Sequence, residues 1–447
     1  MLGEYRIEGR RASEIAASVE RGVSAGELSP GQVLPPLREL AVYLEVNPNT
    51  VAAAYRTLRD RGVIETRGRL GSRIRERPAS TSRDAPRVPV PPGVRDLSHG
   101  NPDPALLPDL GPALAAAAGR SAAAPTLYGA PPVSEGLAAA AREAFEADGV
   151  PGDHLAVTSG SLEGIERVLA AHLRPGDSVA VEDPGWRNLL DLVPTLGLRV
   201  APVAVDQEGP LPEELQQTLA AGARAVIVTA RAQNPTGAAV SEARAARLRA
   251  VLGAHPQVLL VEDDHGHDNV SLPLHPLGGA GATDHWVVVR SVAKAYGPDL
   301  RLAVLSGDAV TMERVRGRQR LGPGWVSHLL QDAVAHLWRT GRRDRREVVA
   351  AYDSRRTALL DALAERGVPA GGSSGLNVWV PVPDETTAVA GLLRAGWAVA
   401  PGARFRIRTP QAVRVTVSSL PKDEAPAVAD AVAAAIGGAH EEGRRYD

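Results

Sequence analysis

The chain contains no cysteine, few aromatic residues and no long apolar run. Without cysteine it can form neither disulfide bonds nor thiolate metal sites, which fits a reducing compartment. Aromatic residues make up only 3% of the sequence, so aliphatic side chains and alanine must fill most of the core. A membrane-spanning helix would need about 18 consecutive apolar residues, and the first residues lack a signal-peptide pattern. We therefore expect a soluble, cytoplasmic protein with no membrane partner.

Lysine is almost absent, with two residues against 48 arginines. Arginine replaces lysine wherever only a positive charge is needed, but a guanidinium cannot lose its proton and attack a carbonyl. One of the two lysines, Lys294, lies inside a largely apolar stretch. Its retention favours a Schiff base with an aldehyde cofactor. The alternative is a chance survivor in an arginine-rich composition.

A proline-rich segment divides the sequence. The 447 residues are too many for one ordinary core, so two or three domains are expected. Residues 78–95 contain five prolines together with serine and arginine and have almost no apolar periodicity, which indicates a linker. The sequence thus predicts an N-terminal domain over residues 1–77 and a larger domain over 96–447. A smaller subdomain is expected from about 340 to 447.

The N-terminal domain has the pattern of a helix-turn-helix. Apolar periodicity predicts helices over Ser13–Gly22 and Leu37–Leu44 and a third from Pro48, with Asn47 as its N-cap. A short turn joins the second and third helices. In such a layout the later helix enters the major groove of double-stranded DNA, N-terminus first.

A basic hairpin is predicted after the third helix. Strands over 63–66 and 72–74 flank a glycine-rich tip, and residues 56–77 hold eight arginines against three acidic residues. Because the net charge of the chain is only −2, DNA must meet a local basic patch of this kind. The alternative, a helical dimerisation domain, does not need a basic wing. The predicted DNA-contacting residues are Arg38, Asn47, Asn49, Thr50, Tyr55, Arg56, Arg67 and Arg69.

The larger domain alternates strands and helices in the manner of an α/β fold. Short apolar strands are predicted over 155–158, 179–181, 225–229, 258–261 and 286–290. Polar residues follow each strand. In open α/β sheets, ligands bind at the carboxyl ends of parallel strands.

Those polar residues match what pyridoxal 5'-phosphate (PLP) requires. Its pyridine nitrogen needs a carboxylate, and its phosphate needs hydroxyls, amides at a helix start and an arginine. Each candidate also has a simpler reading, such as an N-cap serine, a core tryptophan, an Asn-Pro turn or a solvated acidic loop. The candidates are Ser159, Gly160, Ser161, Ser291 and Arg301 for the phosphate, Asp263 for the pyridine nitrogen, Trp186 for the ring face, Asn234 for the phenolate oxygen and Lys294 for the aldehyde carbon.

Taken together, these motifs resemble the fold-type I PLP enzymes of the aminotransferase superfamily over residues 95–440. The Ser-x-x-Lys-x-x-x-Pro-x-x-Arg spacing from Ser291 to Arg301 is the most specific element. The resemblance implies a mostly parallel seven-stranded sheet, a small C-terminal α+β domain and a homodimer. It further implies that Tyr128 reaches the phosphate of the neighbouring subunit and that Arg414 binds a substrate carboxylate.

Residues 10–77 resemble the winged-helix domain of GntR-type regulators, and the combination resembles the MocR subfamily. Two residues depart from the expected pattern. His265 stands where the superfamily usually has a tyrosine, and could bond the phenolate oxygen while titrating near neutral pH. Asn234 stands where many MocR members have an aromatic residue, which is closer to true aminotransferases.

Three hypotheses follow. The first is a transcriptional regulator that senses PLP or a small amine through the Lys294 Schiff base, within vitamin B6 or amine metabolism. The alternative is an active aminotransferase with an accessory DNA-binding domain, and physiological turnover stays open. The third is a DNA-binding protein whose larger domain only dimerises. Nothing in the sequence selects the operator, the sign of regulation or a particular amine.

Overall fold

The computed structural model describes residues 5–24, 27–29, 31–60, 63–66, 71–74, 90–279 and 281–443. The chain forms two compact units. Within the described ranges, no helix is both long enough and apolar enough to cross a membrane. The units comprise Met1–Ala85, Leu173–Ser178 and Asp191–Arg199 in one, and Pro86–His172, Val179–Leu190 and Val200–Asp447 in the other.

The N-terminal residues form three helices and a hairpin. Ile64 lies opposite Ile74 in this antiparallel hairpin. The Asn47 side chain accepts a hydrogen bond of 2.9 Å from the Asn49 N–H, as an N-cap does. The predicted helices and strands are confirmed to within two residues, whereas the wing tip with Arg67 and Arg69 lies outside the described residues. The elements are α1 (Ala12–Ser24), α2 (Leu37–Tyr43), α3 (Pro48–Asp60), β1 (Ile64–Thr66) and β2 (Ser72–Ile74).

Aliphatic side chains from all of these elements form one core. Apart from one tyrosine, its buried members are aliphatic or alanine, as the scarcity of aromatic residues required. They are Ile7, Ile15, Ala16, Val19, Leu28, Leu34, Leu40, Ala41, Val51, Ala54, Tyr55, Leu58, Ile64 and Ile74.

The remaining strands and helices build the larger domain. The strands are β3 (Arg95–Asp96), β4 (Leu155–Thr158), β5 (Ser178–Asp183), β6 (Arg199–Asp206), β7 (Gly209–Pro210), β8 (Ala225–Thr229), β9 (Leu259–Asp264), β10 (His285–Ser291), β11 (Ala303–Gly307), β12 (Asn377–Pro381), β13 (Trp397–Ala398), β14 (Ala400–Pro401) and β15 (Ala412–Thr416). The helices are α4 (Gly111–Ala123), α5 (Glu135–Ala147), α6 (Ser161–His172), α7 (Arg187–Thr195), α8 (Pro212–Ala220), α9 (Glu242–Gly253), α10 (Ala293–Tyr296), α11 (Ala309–Arg320), α12 (His328–Thr340), α13 (Arg342–Glu365), α14 (Glu385–Arg394) and α15 (Ala425–Gly443).

The central sheet has the strand order β4-β11-β10-β9-β8-β5-β6-β7. Neighbours from β10 through β9 and β8 to β5 are parallel, whereas β11 runs antiparallel to both β10 and β4. Strands β8 and β9 are buried along their whole length, as expected for central parallel strands covered on both faces. The predicted mostly parallel sheet of seven strands is confirmed, and the two-residue β7 adds an eighth through a hairpin with β6.

The smaller C-terminal sheet consists of β12, β15 and β14 with antiparallel pairing. A separate apolar cluster that includes side chains of α13, α14 and α15 covers it. Strand β3 pairs in parallel with β13, with Arg95 opposite Trp397. Regular structure thus begins within the last residues of the predicted linker, most of which lies outside the described part of the chain.

Candidate functional site

The half-buried candidate lysine lies just after the carboxyl end of a central strand. Strand β10 ends at Ser291, and Lys294 belongs to the four-residue helix α10 that follows. Its Nζ donates a hydrogen bond to the carbonyl of Gly100. Burial, reinforced by the positive charges of Arg414 and Arg187, lowers the pKa of Lys294 to about 8. The amine is therefore a much better nucleophile near neutral pH than an ordinary lysine.

Two consecutive aspartates end the neighbouring strand β9, and their hydrogen-bond partners differ sharply. Asp264 accepts hydrogen bonds of 2.7 Å from Arg231 and 2.9 Å from Arg290. Although burial alone would raise the pKa of Asp264, these two guanidinium groups hold it well below its usual value. Asp263 instead has one buried oxygen, Oδ1, for which the described residues supply no hydrogen-bond partner. Of the two carboxylates, only Asp263 offers an oxygen to a further group.

His265 follows directly after β9 and contacts the other oxygen of Asp263. Its Nδ1 lies 3.2 Å from Asp263 Oδ2, and its Nε2 lies 2.9 Å from the carbonyl oxygen of Ala232. Burial alone would lower the pKa of His265, but the adjacent Asp263 carboxylate outweighs it and raises the pKa above its usual value. Both ring nitrogens are thus already engaged within the protein.

The turn between β4 and α6 offers hydroxyl and backbone groups. Gly160 adopts a φ of +103°, and an added Cβ there would lie only 3.1 Å from Nη2 of Arg301. Arg301 donates a 2.8 Å hydrogen bond to the carbonyl of Ser159, which ties the two segments together. Ser161 is the first residue of α6, and its buried Oγ has no hydrogen-bond partner among the residues described. Ser291 is also buried, and its Oγ accepts a hydrogen bond from the N–H of Ala293.

Arg414 lies in the middle of β15 and is only 3% exposed. Its Nη1 donates to Asn234 Oδ1 at 2.9 Å, and its Nη2 donates to the carbonyl of Ser98 at 2.5 Å. The guanidinium also lies 4.7 Å from the ring centroid of Phe405. The structure therefore brings Asn234 and Arg414 into direct contact, with Lys294 bonded to nearby Gly100.

Two aromatic candidates occupy different settings. Trp186 is partly buried and follows the turn after β5. Tyr128 is 95% exposed, and its ring centroid lies 5.6 Å from that of Trp325. Tyr128 is therefore not enclosed in the site of its own chain.

Sequence reasoning missed the segment Ser98–Gly100 and Arg187. The first binds Arg414 and Lys294 through backbone carbonyls, which no side-chain motif reveals. The second carries a charge that acts on Lys294 and directly follows Trp186. A cation directly after a strand-end turn was the available signal for Arg187.

The predicted DNA-contacting residues are mostly exposed, with one exception. Arg38, Asn47, Asn49 and Arg56 are exposed, and Thr50 is half-buried. The prediction for Tyr55 is wrong, because this residue is 1% exposed and its hydroxyl donates a 2.8 Å hydrogen bond to the Pro35 carbonyl. Its apolar helix position made it a core residue.

The larger domain also contains a cavity of about 690 Å³. Its lining includes His267, Trp338 and Arg345 but no lysine. It therefore cannot supply the amine that distinguishes the site at Lys294.

A helix-turn-helix with a hairpin wing, followed by an aminotransferase-type α/β domain, is the domain combination of a DNA-binding regulator. Residues 11–74 match the family model for bacterial regulatory proteins of the gntR family, and residues 92–432 match that for aminotransferase class I and II. The chain belongs to the GntR family, in the MocR subfamily that joins these two domains. It is a transcriptional regulator.

Two regulators with these features are similar to the chain over most of its length. The vitamin B6 salvage pathway transcriptional repressor PtsJ of Salmonella typhimurium is 42% identical over 94% of this chain and 96% of its own. The pyridoxine biosynthesis regulator PdxR of Corynebacterium glutamicum is 28% identical over 79% of each chain.

Solved aminotransferases share the fold of the larger domain. A mutant aspartate aminotransferase of Thermus thermophilus is 25% identical, with a TM-score of 0.66 over 76% of this chain and 91% of its own. The α-aminoadipate aminotransferase LysN from the same species, complexed with N-(5'-phosphopyridoxyl)-L-leucine, has a TM-score of 0.67 at 21% identity over 78% of this chain and 93% of its own. The predicted fold class is confirmed.

Proposed function

We propose that this regulator binds PLP at Lys294 and that the cofactor alters its affinity for operator DNA, so that it reports the supply of vitamin B6. The observation that carries the proposal is a half-buried lysine whose amine has a lowered pKa, beside a buried carboxylate oxygen that lacks a partner among the described residues. The similarity to a vitamin B6 salvage repressor over nearly the whole chain supports the choice of vitamer.

The residues present fit the cofactor. Oδ1 of Asp263 would accept a hydrogen bond from a protonated ring nitrogen, and the hydroxyl of Ser161 would donate to a phosphate oxygen; neither atom has a partner among the residues that the structure describes. Both atoms are buried, and burying a polar atom without a partner is costly. PLP would supply an aldehyde carbon and an electron-poor ring. The other proposed contacts are Ser159, Gly160, Ser291 and Arg301 at the phosphate, Trp186 on the ring face, and Asn234 and His265 near the phenolate oxygen.

Lys294 is prepared for carbonyl attack by its surroundings. With a pKa of about 8, the fraction of free amine near pH 7.5 is about a quarter, against roughly a thousandth for an ordinary lysine. The carbonyl of Gly100 accepts a hydrogen bond from the Lys294 amine and so orients its nitrogen. Lys294 would therefore react with an aldehyde without needing a separate base to remove its proton.

Arg414 would bind the carboxylate of an amino compound. It is buried, and it donates to two neutral oxygens, those of Asn234 and Ser98. A carboxylate accepts charge-assisted hydrogen bonds from a guanidinium more strongly than neutral oxygens do. The carboxylate of an amino-acid effector would accordingly replace these neutral oxygens as the acceptor of the Arg414 hydrogen bonds, and this would disturb Asn234.

A homodimer that binds double-stranded DNA is part of the proposal. Tyr128 and Leu127 are strongly exposed although apolar in character. Exposed apolar groups of this kind often mark protein interfaces. Tyr128 would complete the phosphate site of the neighbouring subunit.

The scarcity of lysine makes a covalent test unusually direct. The full-length protein is incubated with PLP, reduced with borohydride and digested for mass spectrometry. We expect the phosphopyridoxyl label on Lys294, with none on Lys422, the chain's only other lysine. K422A serves as the matched control and should label fully. Label absent from Lys294 would overturn the cofactor proposal. Mobility-shift titration of operator DNA with and without PLP, for wild type and K294A, then tests the regulatory part.

A second candidate, a working aminotransferase, is favoured by the presence of Asn234 in contact with Arg414. Single-turnover amine exchange between an amino acid and the PLP-loaded protein distinguishes the two functions. Exchange at about 1 per second or faster favours an enzyme. Exchange over hours favours the regulator alone.

A further inference from the structure

A buried aspartate at the carboxyl end of β5 binds the backbone of a loop that is distant in sequence. Asp183 is 3% exposed and is the last residue of that strand. Its carboxylate accepts hydrogen bonds from three consecutive N–H groups, at 2.8 Å from Ile407, 2.6 Å from Arg408 and 3.2 Å from Thr409. Burying a carboxylate is costly unless several donors compensate it. These bonds therefore hold the 402–411 loop, which joins β14 to β15, against the end of β5.

The same loop supplies one wall of the proposed carboxylate site. Phe405 in this loop is fully buried, and the guanidinium of Arg414 lies 4.7 Å from its ring centroid, where the ring attracts a cation. The ring of Trp379 meets Phe405 edge-on, with 6.2 Å between the centroids. The carbonyl of Phe405 accepts a 2.8 Å hydrogen bond from the N–H of Gly185, two residues after Asp183. The loop is thus bonded to the β5 end on both sides of Arg406.

These contacts connect the two ends of the proposed ligand site. Trp186, the candidate for the ring face of the cofactor, directly follows Gly185, whereas Arg414 is the candidate for the effector carboxylate. A guanidinium binds a carboxylate best through two parallel N–H donors, so the orientation of its plane matters. The face of the Arg414 guanidinium lies on Phe405, and the backbone that carries this ring is held by Asp183 and Gly185.

We propose that Asp183 is a positioning residue that orients Arg414 through Phe405 and so makes the protein respond to amino compounds that carry a carboxylate. Asp183 itself does not contact the ligand. It sets the separation between the cofactor ring and the guanidinium, and therefore the separation of amine and carboxylate in the compounds that fit. The inference deepens the proposed function and rests on it for the binding of the amine.

Pairs of ligands that differ only in the carboxylate test this role. The full-length, PLP-loaded protein is titrated with L-alanine against ethylamine and with 4-aminobutyrate against propylamine, and the absorbance change gives each dissociation constant. We expect wild type to prefer the amino acid of at least one pair. Asp183→Asn should reduce that preference about tenfold, while the affinity for the plain amine changes less than about twofold. A purely structural defect would weaken both members of a pair equally.

Two further variants separate positioning from stability. Asp308 also accepts hydrogen bonds from backbone N–H groups, those of Trp286 and Thr311, but near the amino-terminal end of β10. Asp308→Asn should therefore lower the free energy of unfolding and leave the preference for the amino acid unchanged. Phe405→Leu removes the ring beneath the guanidinium and should reduce the preference as Asp183→Asn does. Combining these last two substitutions should add less than about a further twofold, because both act through the same ring.

Butyrate gives a readout that needs no cofactor. Compared with equal chloride, it should raise the thermal midpoint of the PLP-free wild type but not that of Asp183→Asn, because only a correctly oriented Arg414 binds the carboxylate. A protein that never takes up PLP but shows this difference would refute the proposed function alone. An unchanged ligand preference in both Asp183→Asn and Phe405→Leu, or an equal loss in Asp308→Asn, would overturn the role of Asp183. In a protein without PLP, equal effects of butyrate on wild type and Asp183→Asn would overturn it as well.

Discussion

At the residue scale, the adjacent residues Asp263 and Asp264 have different roles, and substituting each of them distinguishes these roles. Asp264 is enclosed by Arg231 and Arg290, whereas Asp263 keeps one buried oxygen unpartnered within the described structure. Asp264→Asn removes the negative charge that pairs with these two guanidinium groups, so we expect the free energy of unfolding to fall by about 3 to 5 kcal/mol. Asp263→Asn should change stability by no more than about 1 kcal/mol but weaken PLP binding at least tenfold, about 1.4 kcal/mol.

Denaturant titration and PLP absorbance measure the two effects separately. Because the folded-state pKa of Asp264 is depressed, its stabilising contribution is complete above roughly pH 4 and is lost as the pH falls further. The stability difference between Asp264→Asn and wild type should therefore shrink in acid. Equal losses of stability in the two variants would contradict this division of roles.

At the element scale, β9 shows where reasoning from the sequence ends. The apolar run predicts a strand that stops at Val261, because three acidic residues follow. The strand continues to Asp264, since the carboxylates of Glu262 and Asp264 find partners in distant segments. Glu262, for instance, accepts hydrogen bonds from the N–H groups of Leu277 and Gly278. The order of the motifs in the sequence could identify Asp263 and Lys294 as site residues. It could not predict hydrogen bonds between segments that are distant in sequence, nor the contacts of the backbone carbonyls of Ser98 and Gly100.

The buried Glu262 predicts a pH dependence of stability. Burial raises its pKa to about 7, so the folded state holds a proton that the unfolded chain releases near pH 4.3. Its contribution therefore weakens folding as the pH rises between these values. Relative to wild type, the unfolding free energy of Glu262→Gln should increase by about 1 to 3 kcal/mol from pH 5 to pH 8. A pH-independent difference in denaturant titrations would argue against a buried protonated carboxyl.

Helix α3 provides the second test at this scale. Tyr55 faces the core, whereas Asn49 is exposed near the N-terminus of the same helix. Tyr55→Phe should lower unfolding free energy by about 1 kcal/mol through the lost bond to Pro35, with unchanged DNA affinity. Asn49→Ala should keep stability within about 0.5 kcal/mol and weaken operator binding roughly tenfold. Fluorescence anisotropy with operator DNA measures the affinity of each variant, and thermal unfolding measures its stability. A loss of DNA affinity in Tyr55→Phe, with none in Asn49→Ala, would show that Tyr55 contacts DNA after all.

At the scale of the whole molecule, a sensor must obey thermodynamic reciprocity. If PLP changes the operator affinity by some factor, operator DNA must change the PLP affinity by that same factor. Typical couplings of about 1 to 3 kcal/mol predict changes of roughly 5-fold to 150-fold in both directions. The dissociation constants of DNA with and without PLP, and of PLP with and without DNA, form a closed cycle that calorimetry can measure. In K294A we expect the coupling to vanish while affinity for DNA in the absence of PLP stays at the wild-type value, with K422A behaving as wild type. A coupling that survives in K294A would mean that PLP acts from another site, and a wild-type cycle without coupling would mean that the bound cofactor does not regulate DNA binding.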